Sequence, residues 1–174
     1  MSDEIAKTSF YLGGARSGKS RIAQEHAEQL SSSRVYVATA QALDDEMAAR
    51  IAHHQQDRHE GWTTVEAPLE LGNAVRTSST NENVVVIDCL TLWLSNLMHL
   101  EHNLNEAYVD LEGALKHAPG PVLLVSNEVG LGLVPETPLG RAFRDEQGRL
   151  NQRIAKLADH VVFVAAGLTL PLKG

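Results

Sequence analysis

Gly13-Gly14-Ala15-Arg16-Ser17-Gly18-Lys19-Ser20 fits the spacing G-x-x-x-x-G-K-[ST], and its flanks supply the setting that this spacing requires. Phe10-Tyr11-Leu12 before it reads as a short buried strand, and Arg21 to Leu30 after it reads as a helix. Glycines let the backbone curl until several N–H groups point at one anion. The helix N-terminus adds its partial positive charge. Lys19 has the reach for the β- and γ-phosphates, and the Ser20 hydroxyl can ligate Mg²⁺. The stretch predicts a site for a nucleoside triphosphate.

Working outward, the chain alternates. Strand-like runs fall at Phe10–Leu12, Val35–Thr39, Val84–Asp88, Val122–Asn127 and Val161–Ala165, with a weaker one at Thr63–Val65. Each is short, apolar and β-branched, as in strands covered on both faces. Between them lie helical segments at Arg21–Leu30, Asp44–Gln56, Leu69–Ser78, Thr91–Leu100, Asn105–His117 and Pro138–Ala158. That alternation predicts an α/β fold: a P-loop NTPase-like, mostly parallel sheet flanked by helices. In such sheets ligands bind at the carboxyl ends of the strands, which places Gly13–Ser20, Thr39–Asp44, Asp88–Thr91 and Asn127–Gly132 on one edge.

At 174 residues, with no internal repeat or linker, the chain reads as one domain spanning 1–174, of which 1–9 is a polar N-terminal extension. A hydrophobic content of 43% with 21% charged residues is that of a soluble globular protein. The formal charge of −7 gives no basic face for nucleic acid, so cations must be concentrated locally, as Arg16, Lys19 and Arg21 are around the loop. No apolar run approaches a membrane span, and no signal peptide is evident, so the expected compartment is the cytoplasm. Cys89 reads as a small buried residue rather than a nucleophile.

Val84-Val85-Val86-Ile87-Asp88 ends an apolar strand with an acid, where a carboxylate that holds Mg²⁺ beside a phosphate loop belongs. The other reading of Asp88 is a cap for the following helix. Asn127 and Glu128 end the next strand at the same edge. They either orient a substrate group or make the turn into Gly130.

The segment Leu43 to Arg58 starts acidic, with Asp44 a fair N-cap. Met47, Ile51, His54 and Arg58 share one helical stripe, and His53 points away from it. The pair His53-His54 lacks the H-x-x-x-H spacing of zinc helices. His54 is either a half-buried residue satisfied by a hydrogen bond or a nucleophile whose imidazole attacks phosphorus, with an arginine nearby to stabilise the phosphoryl oxygens.

These motifs together resemble the bifunctional adenosylcobinamide kinase / adenosylcobinamide-phosphate guanylyltransferase family of cobalamin biosynthesis. The resemblance runs from Leu12 to Lys173. It is carried by Gly13–Arg21, by Leu43–Ile51 followed by His53-His54, by Trp62–Glu66, by Asn127–Gly130 with Val134-Pro135-Glu136, and by Arg144-Asp145 with Gly148–Gln152. It implies an enzyme with two activities. One transfers a γ-phosphoryl group from ATP or GTP to the aminopropanol hydroxyl of adenosylcobinamide. The other transfers GMP from GTP to the resulting phosphate through a GMP–histidine intermediate, giving adenosyl-GDP-cobinamide.

Position within the motif makes His54 the guanylylated histidine, with Lys19 the other catalytic group. The resemblance also implies nucleotide contacts from Gly13, Gly14, Ala15, Arg16, Ser17, Gly18, Lys19 and Ser20, from Ala38, Thr39 and Ala40, from Gln55, Gln56, Asp57 and Arg58, and from Glu66 and Asp88. Mg²⁺ is expected on Ser20 and Asp88, the corrinoid near Gly130–Arg149, and the assembly as a homotrimer with sites between subunits. Asp88 stands where some relatives have Glu, and Gln55 and Gln56 where charges are common. The rival expectations are a single-activity P-loop small-molecule kinase, with the histidine helix as a lid, and a nucleotide-binding module without turnover.

Overall fold

The computed structural model describes residues 7–40 and 60–174. The helix expected at Asp44–Gln56 lies outside the described residues, and with it His53, His54 and Gln55 to Arg58. Among the described residues, seven strands form one sheet: β1 (Thr8–Gly13), β2 (Arg34–Ala38), β3 (Trp62–Glu66), β4 (Val84–Asp88), β5 (Val122–Asn127), β6 (His160–Ala165) and β7 (Leu168–Lys173). Their order is β3-β2-β4-β5-β1-β6-β7. Every neighbouring pair is parallel except β6 and β7. The mostly parallel sheet expected from the alternation is therefore observed. Its central strands are the β-branched runs, with Val84 to Ile87 and Val122 to Val125 all at 0% exposure.

The helices are α1 (Lys19–Leu30), α2 (Leu71–Ser78), α3 (Leu90–His99), α4 (Leu104–His117) and α5 (Pro138–Leu157). Two of them start on local chemistry visible in the sequence. The Asn103 side chain accepts from the Glu106 N–H at the start of α4. The Thr137 side chain accepts from the Gly140 N–H at the start of α5, with Pro138 in the first turn, where its missing N–H costs nothing. One face of the sheet packs against α2, α3, α4 and α5 around Phe10, Leu71, Trp93, Leu111, Leu150 and Ile154. The other packs against α1 through Tyr11, Ala23, Ala27, Tyr36, Val86, Leu123 and Val125.

The structure differs from the sequence reading at three places. Thr8 and Ser9 belong to β1 and are buried, although they read as part of a polar extension. Backbone pairing with β5 and the bond from the Thr8 N–H to Asp159 Oδ2 (2.9 Å) outweigh their side-chain polarity. The weak strand expected at Thr63–Val65 is observed, differing only in its bounds, which run from Trp62 to Glu66 in parallel pairing with β2. Residues after Ala165, left without an element, form β7, an antiparallel edge reached through a turn at Ala166-Gly167. Both turn residues have positive φ (52° and 76°), the backbone that matches the twist of a tight hairpin.

Candidate functional site

Strand alternation decides which side chains meet at the carboxyl edge. On β4, Val84 and Val86 pack on the α1 side, so Asp88 ends on that side. On β2, Tyr36 and Ala38 do the same. On β3, Trp62 packs there, and its indole N–H donates to Glu28 of α1 (3.3 Å), so Glu66 shares that face. Ala38, Glu66 and Asp88 are each the last residue of their strand. The phosphate loop leaves the end of β1 and enters α1 on the same side. Three expected nucleotide contacts, far apart in sequence, thus share the face and edge that hold Gly13–Ser20, with Asp88 two strands from β1, Ala38 three and Glu66 four.

The loop has the backbone the motif demands. Gly18, the residue before α1, sits at φ 95°, and Arg16 also has a positive φ of 56°. Gly13 cannot carry a side chain, because a Cβ there would stand 2.3 Å from the Val164 carbonyl oxygen. Gly14 has open space around it, and Ala15 and Arg16 are exposed. The Lys19 ammonium is buried and donates to the Gly14 carbonyl (2.9 Å), lying across the loop. Burial pulls its pKa below the ordinary lysine value, and the Asp88 carboxylate pulls the other way. The Ser17 hydroxyl is buried with no partner, an orphan polar atom inside the loop. Ser20 lies half-buried in the first turn of α1.

Two supports hold this edge rigid. The Thr39 hydroxyl donates to the Cys89 carbonyl and accepts from the Cys89 N–H, both at 2.8 Å. Asn96 donates to the Thr39 carbonyl (2.9 Å) and the Pro68 carbonyl (3.0 Å). Thr39 is fully buried and its side chain is committed to this clamp, so it shapes the edge between Ala38 and Asp88. Ala40, half-buried, follows it. On the far side, the Gly167 N–H donates to the Ser17 carbonyl (2.8 Å), so the β6–β7 turn props the loop from behind. Sequence reasoning missed this support, although Ala166-Gly167 between two apolar runs carries a hairpin signal.

One reading of Asp88 and one of Cys89 fall away. Helix α3 starts after Cys89 with no side-chain cap, so Asp88 is not spent on capping. Cys89 is buried, and burial together with the Asp88 charge pushes its thiol up to about 11, which makes it a poor nucleophile.

A buried polar network backs the edge at β5. Ser126 donates to Asn151 Oδ1 (2.8 Å), Gln147 donates to Ser126 Oγ (3.0 Å) and to Asn151 Oδ1 (2.9 Å), and Asn151 donates to the Asn127 carbonyl (3.1 Å). The Asn127 N–H donates to Thr91 Oγ1 (2.8 Å). The stretch Arg144–Gln152 therefore divides. Gln147 and Asn151 point into the fold, while Arg144 pairs with Asp145 and Arg149 with Glu146 near the surface. A separate groove of about 540 Å³ between α4 and α5 is lined by Leu104, Tyr108, Arg149 and Arg153. Its Arg153 is committed to Glu112 and its Arg149 to Glu146, so it presents no cation surplus to a phosphate.

Mg²⁺ fits the donors at the carboxyl edge. Ser20 and Asp88 offer hard oxygen ligands, and this ion takes one or two protein ligands, with phosphate oxygens and water filling the rest. No cluster of three or more His, Cys, Asp or Glu suited to a metal occurs among the described residues. No described helix is long and apolar enough to cross a membrane.

Comparison with known proteins gives one family. The model of a family described as cobinamide kinase / cobinamide phosphate guanyltransferase matches residues 9–172. The chain is 46% identical over 165 residues to the bifunctional adenosylcobalamin biosynthesis protein CobP of Pseudomonas aeruginosa, covering 94% of this chain and 95% of that protein. It is 42% identical over 179 residues to the bifunctional adenosylcobalamin biosynthesis protein CobU of Escherichia coli, covering 92% and 97%. Among solved structures, the RadB recombinase aligns over 90% of this chain and 73% of its own, with a TM-score of 0.52 and 13% identity, a likeness of fold alone.

Proposed function

Because the chain belongs to the cobinamide kinase / cobinamide phosphate guanyltransferase family, we propose that its single carboxyl edge runs both reactions of that family, taking turns on one triphosphate site. The enzyme is bifunctional. It phosphorylates the aminopropanol hydroxyl of adenosylcobinamide with ATP or GTP, and it transfers GMP from GTP to adenosylcobinamide phosphate. The observation that supports the siting is that Asp88, Ala38 and Glu66 end their strands on the face that holds the phosphate loop, with Asp88 near enough to act on the Lys19 ammonium.

In the kinase reaction, the loop N–H groups and Lys19 hold the β- and γ-phosphates. The buried ammonium now bonded to the Gly14 carbonyl turns to the phosphate, exchanging a neutral acceptor for a charged one. Ser20 and Asp88 would hold Mg²⁺, which would supply charge neutralisation at the phosphates. In the guanylyl transfer, His54 is the nucleophile. Its ring nitrogen bonds to the α-phosphorus, the bond to the β-phosphate breaks, and pyrophosphate leaves. An oxygen of the corrinoid phosphate then displaces the imidazole. Gln55, Gln56, Asp57 and Arg58 follow His54 and contact the same nucleotide, together with Ala38, Ala40 and Glu66, while the fully buried Thr39 shapes the edge. The corrinoid lies along Gly130–Arg149, where Leu131 and Leu133 are exposed. The enzyme works as one domain in a cytoplasmic homotrimer with its sites between subunits.

The deciding experiment supplies adenosylcobinamide and ATP, then GTP, and follows products and intact protein mass. The expected result is phosphorylated corrinoid, then adenosyl-GDP-cobinamide with pyrophosphate, and a transient GMP adduct on the protein. His54→Ala should abolish the adduct and the second step while retaining the first. A GMP adduct of undiminished yield in His54→Ala would remove that residue from the mechanism.

A further inference from the structure

The end of β5 holds two polar neighbours whose roles separate in the structure. Glu128 Oε1 accepts from the Gly130 N–H at 2.6 Å, so Glu128 makes the turn. Asn127 does not. Its backbone is clamped on both sides, by the Thr91 hydroxyl and by the Asn151 amide. Its carboxamide is half-buried and makes no hydrogen bond among the described residues. A buried network of three side chains is spent on fixing a backbone whose own side chain is left open.

Register shows where that side chain goes. Strand β5 lies between β1, which carries the phosphate loop, and β4, which carries Asp88. Asn127 pairs with Gly13, the first residue of the loop motif. Asp88 pairs with Val125, so Asn127 stands roughly 7 Å further along, in the space beyond the carboxylate. Leu123 and Val125 face α1, and Ser126 faces α5, so Asn127 faces α1. Asn127 therefore stands at the same edge and on the same face as Lys19 and Asp88, on the strand that separates the phosphate loop from the carboxylate.

We propose that Asn127 is a catalytic residue of the phosphoryl-transfer step, its Nδ2 donating to a γ-phosphoryl oxygen and its Oδ1 accepting from the attacking hydroxyl. The inference rests on the kinase reading of the site given above. In this step the hydroxyl oxygen bonds to the γ-phosphorus. The bond from the γ-phosphorus to the bridging oxygen breaks, the nucleoside diphosphate leaves, and the hydroxyl proton passes to water. Asn127 takes no proton. It lines up acceptor and phosphoryl group, and a neutral amide does this without repelling either. The guanylyl transfer takes place at the α-phosphorus, two phosphates away, and has no need of this alignment.

The test measures both half-reactions in wild type, Asn127→Ala and the near-isosteric Asn127→Asp, with melting temperatures. Asn127→Ala should lower kcat for corrinoid phosphorylation about 10²-fold. Its KM for ATP should stay within roughly threefold, and GMP-adduct formation from GTP within roughly fivefold. Asn127→Asp should lose phosphorylation too, with a raised KM for ATP from repulsion of the γ-phosphate. Kinase kcat near the wild-type value in either variant overturns the proposal. So does an equal loss of both half-reactions accompanied by a lowered melting temperature, which marks a purely structural role. Absence of corrinoid phosphorylation in the wild type instead strikes the family reading, and this control keeps the two failures apart.

Discussion

The two faces of the sheet divide the work. The face under α2, α3, α4 and α5 is a deep apolar core with Trp93, Leu94, Leu97, Leu111 and Leu150 all at or below 1% exposure. The face under α1 is thinner and mixed. Its core includes Tyr11, whose hydroxyl bonds to His26 Nδ1, and it ends at the carboxyl edge in Asp88, Glu66 and Asn127. The first face gains free energy by removing apolar area from water. The second leaves polar groups at its carboxyl end, where the nucleotide is proposed to bind, at a cost in packing. Stability and chemistry are thus assigned to opposite sides of one set of strands.

Substitutions on each face should separate these roles. The largest effect is expected from Lys19→Ala, which should lower phosphoryl transfer roughly 10²–10³-fold in a steady-state assay while leaving the melting temperature within a few degrees. Leu94→Ala, on the deep face, should do the reverse. It should destabilise the fold by about 2–5 kcal/mol in urea titration, with kcat per folded molecule unchanged. A loss of kcat in folded Leu94→Ala would break the division.

A subtler effect concerns pH. Burial lowers the Lys19 pKa, and the charged form is the one that grips phosphate. As pH rises through that lowered value the ammonium loses its proton, so kcat/KM for ATP should fall at a pH below the ordinary lysine range. Lys19→Arg should remove that alkaline limb, because arginine stays charged. The smallest effect belongs to Arg153 and Glu112 on the deep face. The Arg153 bond holds the Glu112 carboxyl below its ordinary pKa. That contribution is present above the unfolded carboxyl pKa and lost as pH falls through the lower folded value. The pair is partly exposed, so Arg153→Ala should cost less than about 1 kcal/mol at neutral pH, and the difference should vanish in acid.

What could be read from the sequence was local. The strand, glycine turn and helix around Lys19 are contiguous, and the β-branched run before Asp88 signals a doubly covered strand on its own. What could not be read depends on pairing. Asn127 and Glu128 are adjacent and similar in chemistry, and only the register of β5 against β1 and β4 sends one to the site and the other to a turn. Thr39 and Cys89 are far apart in the chain, so their mutual hydrogen bonds leave no trace in either neighbourhood. Strand β7 was missed because Leu168-Thr169-Leu170-Pro171-Leu172-Lys173 is exposed along its whole length and contains a proline, which an edge strand tolerates and a central one does not.

The central claim is that nucleotide binds the α1 face at the carboxyl edge of the sheet. Hydrogen exchange with and without GTP and Mg²⁺ tests it most directly. The expected result is slowed exchange at the amides of Gly13 to Ser20, at the ends of β2 and β4, and around Asn127. Slowed exchange confined to the groove between α4 and α5, with the glycine turn unchanged, would contradict it.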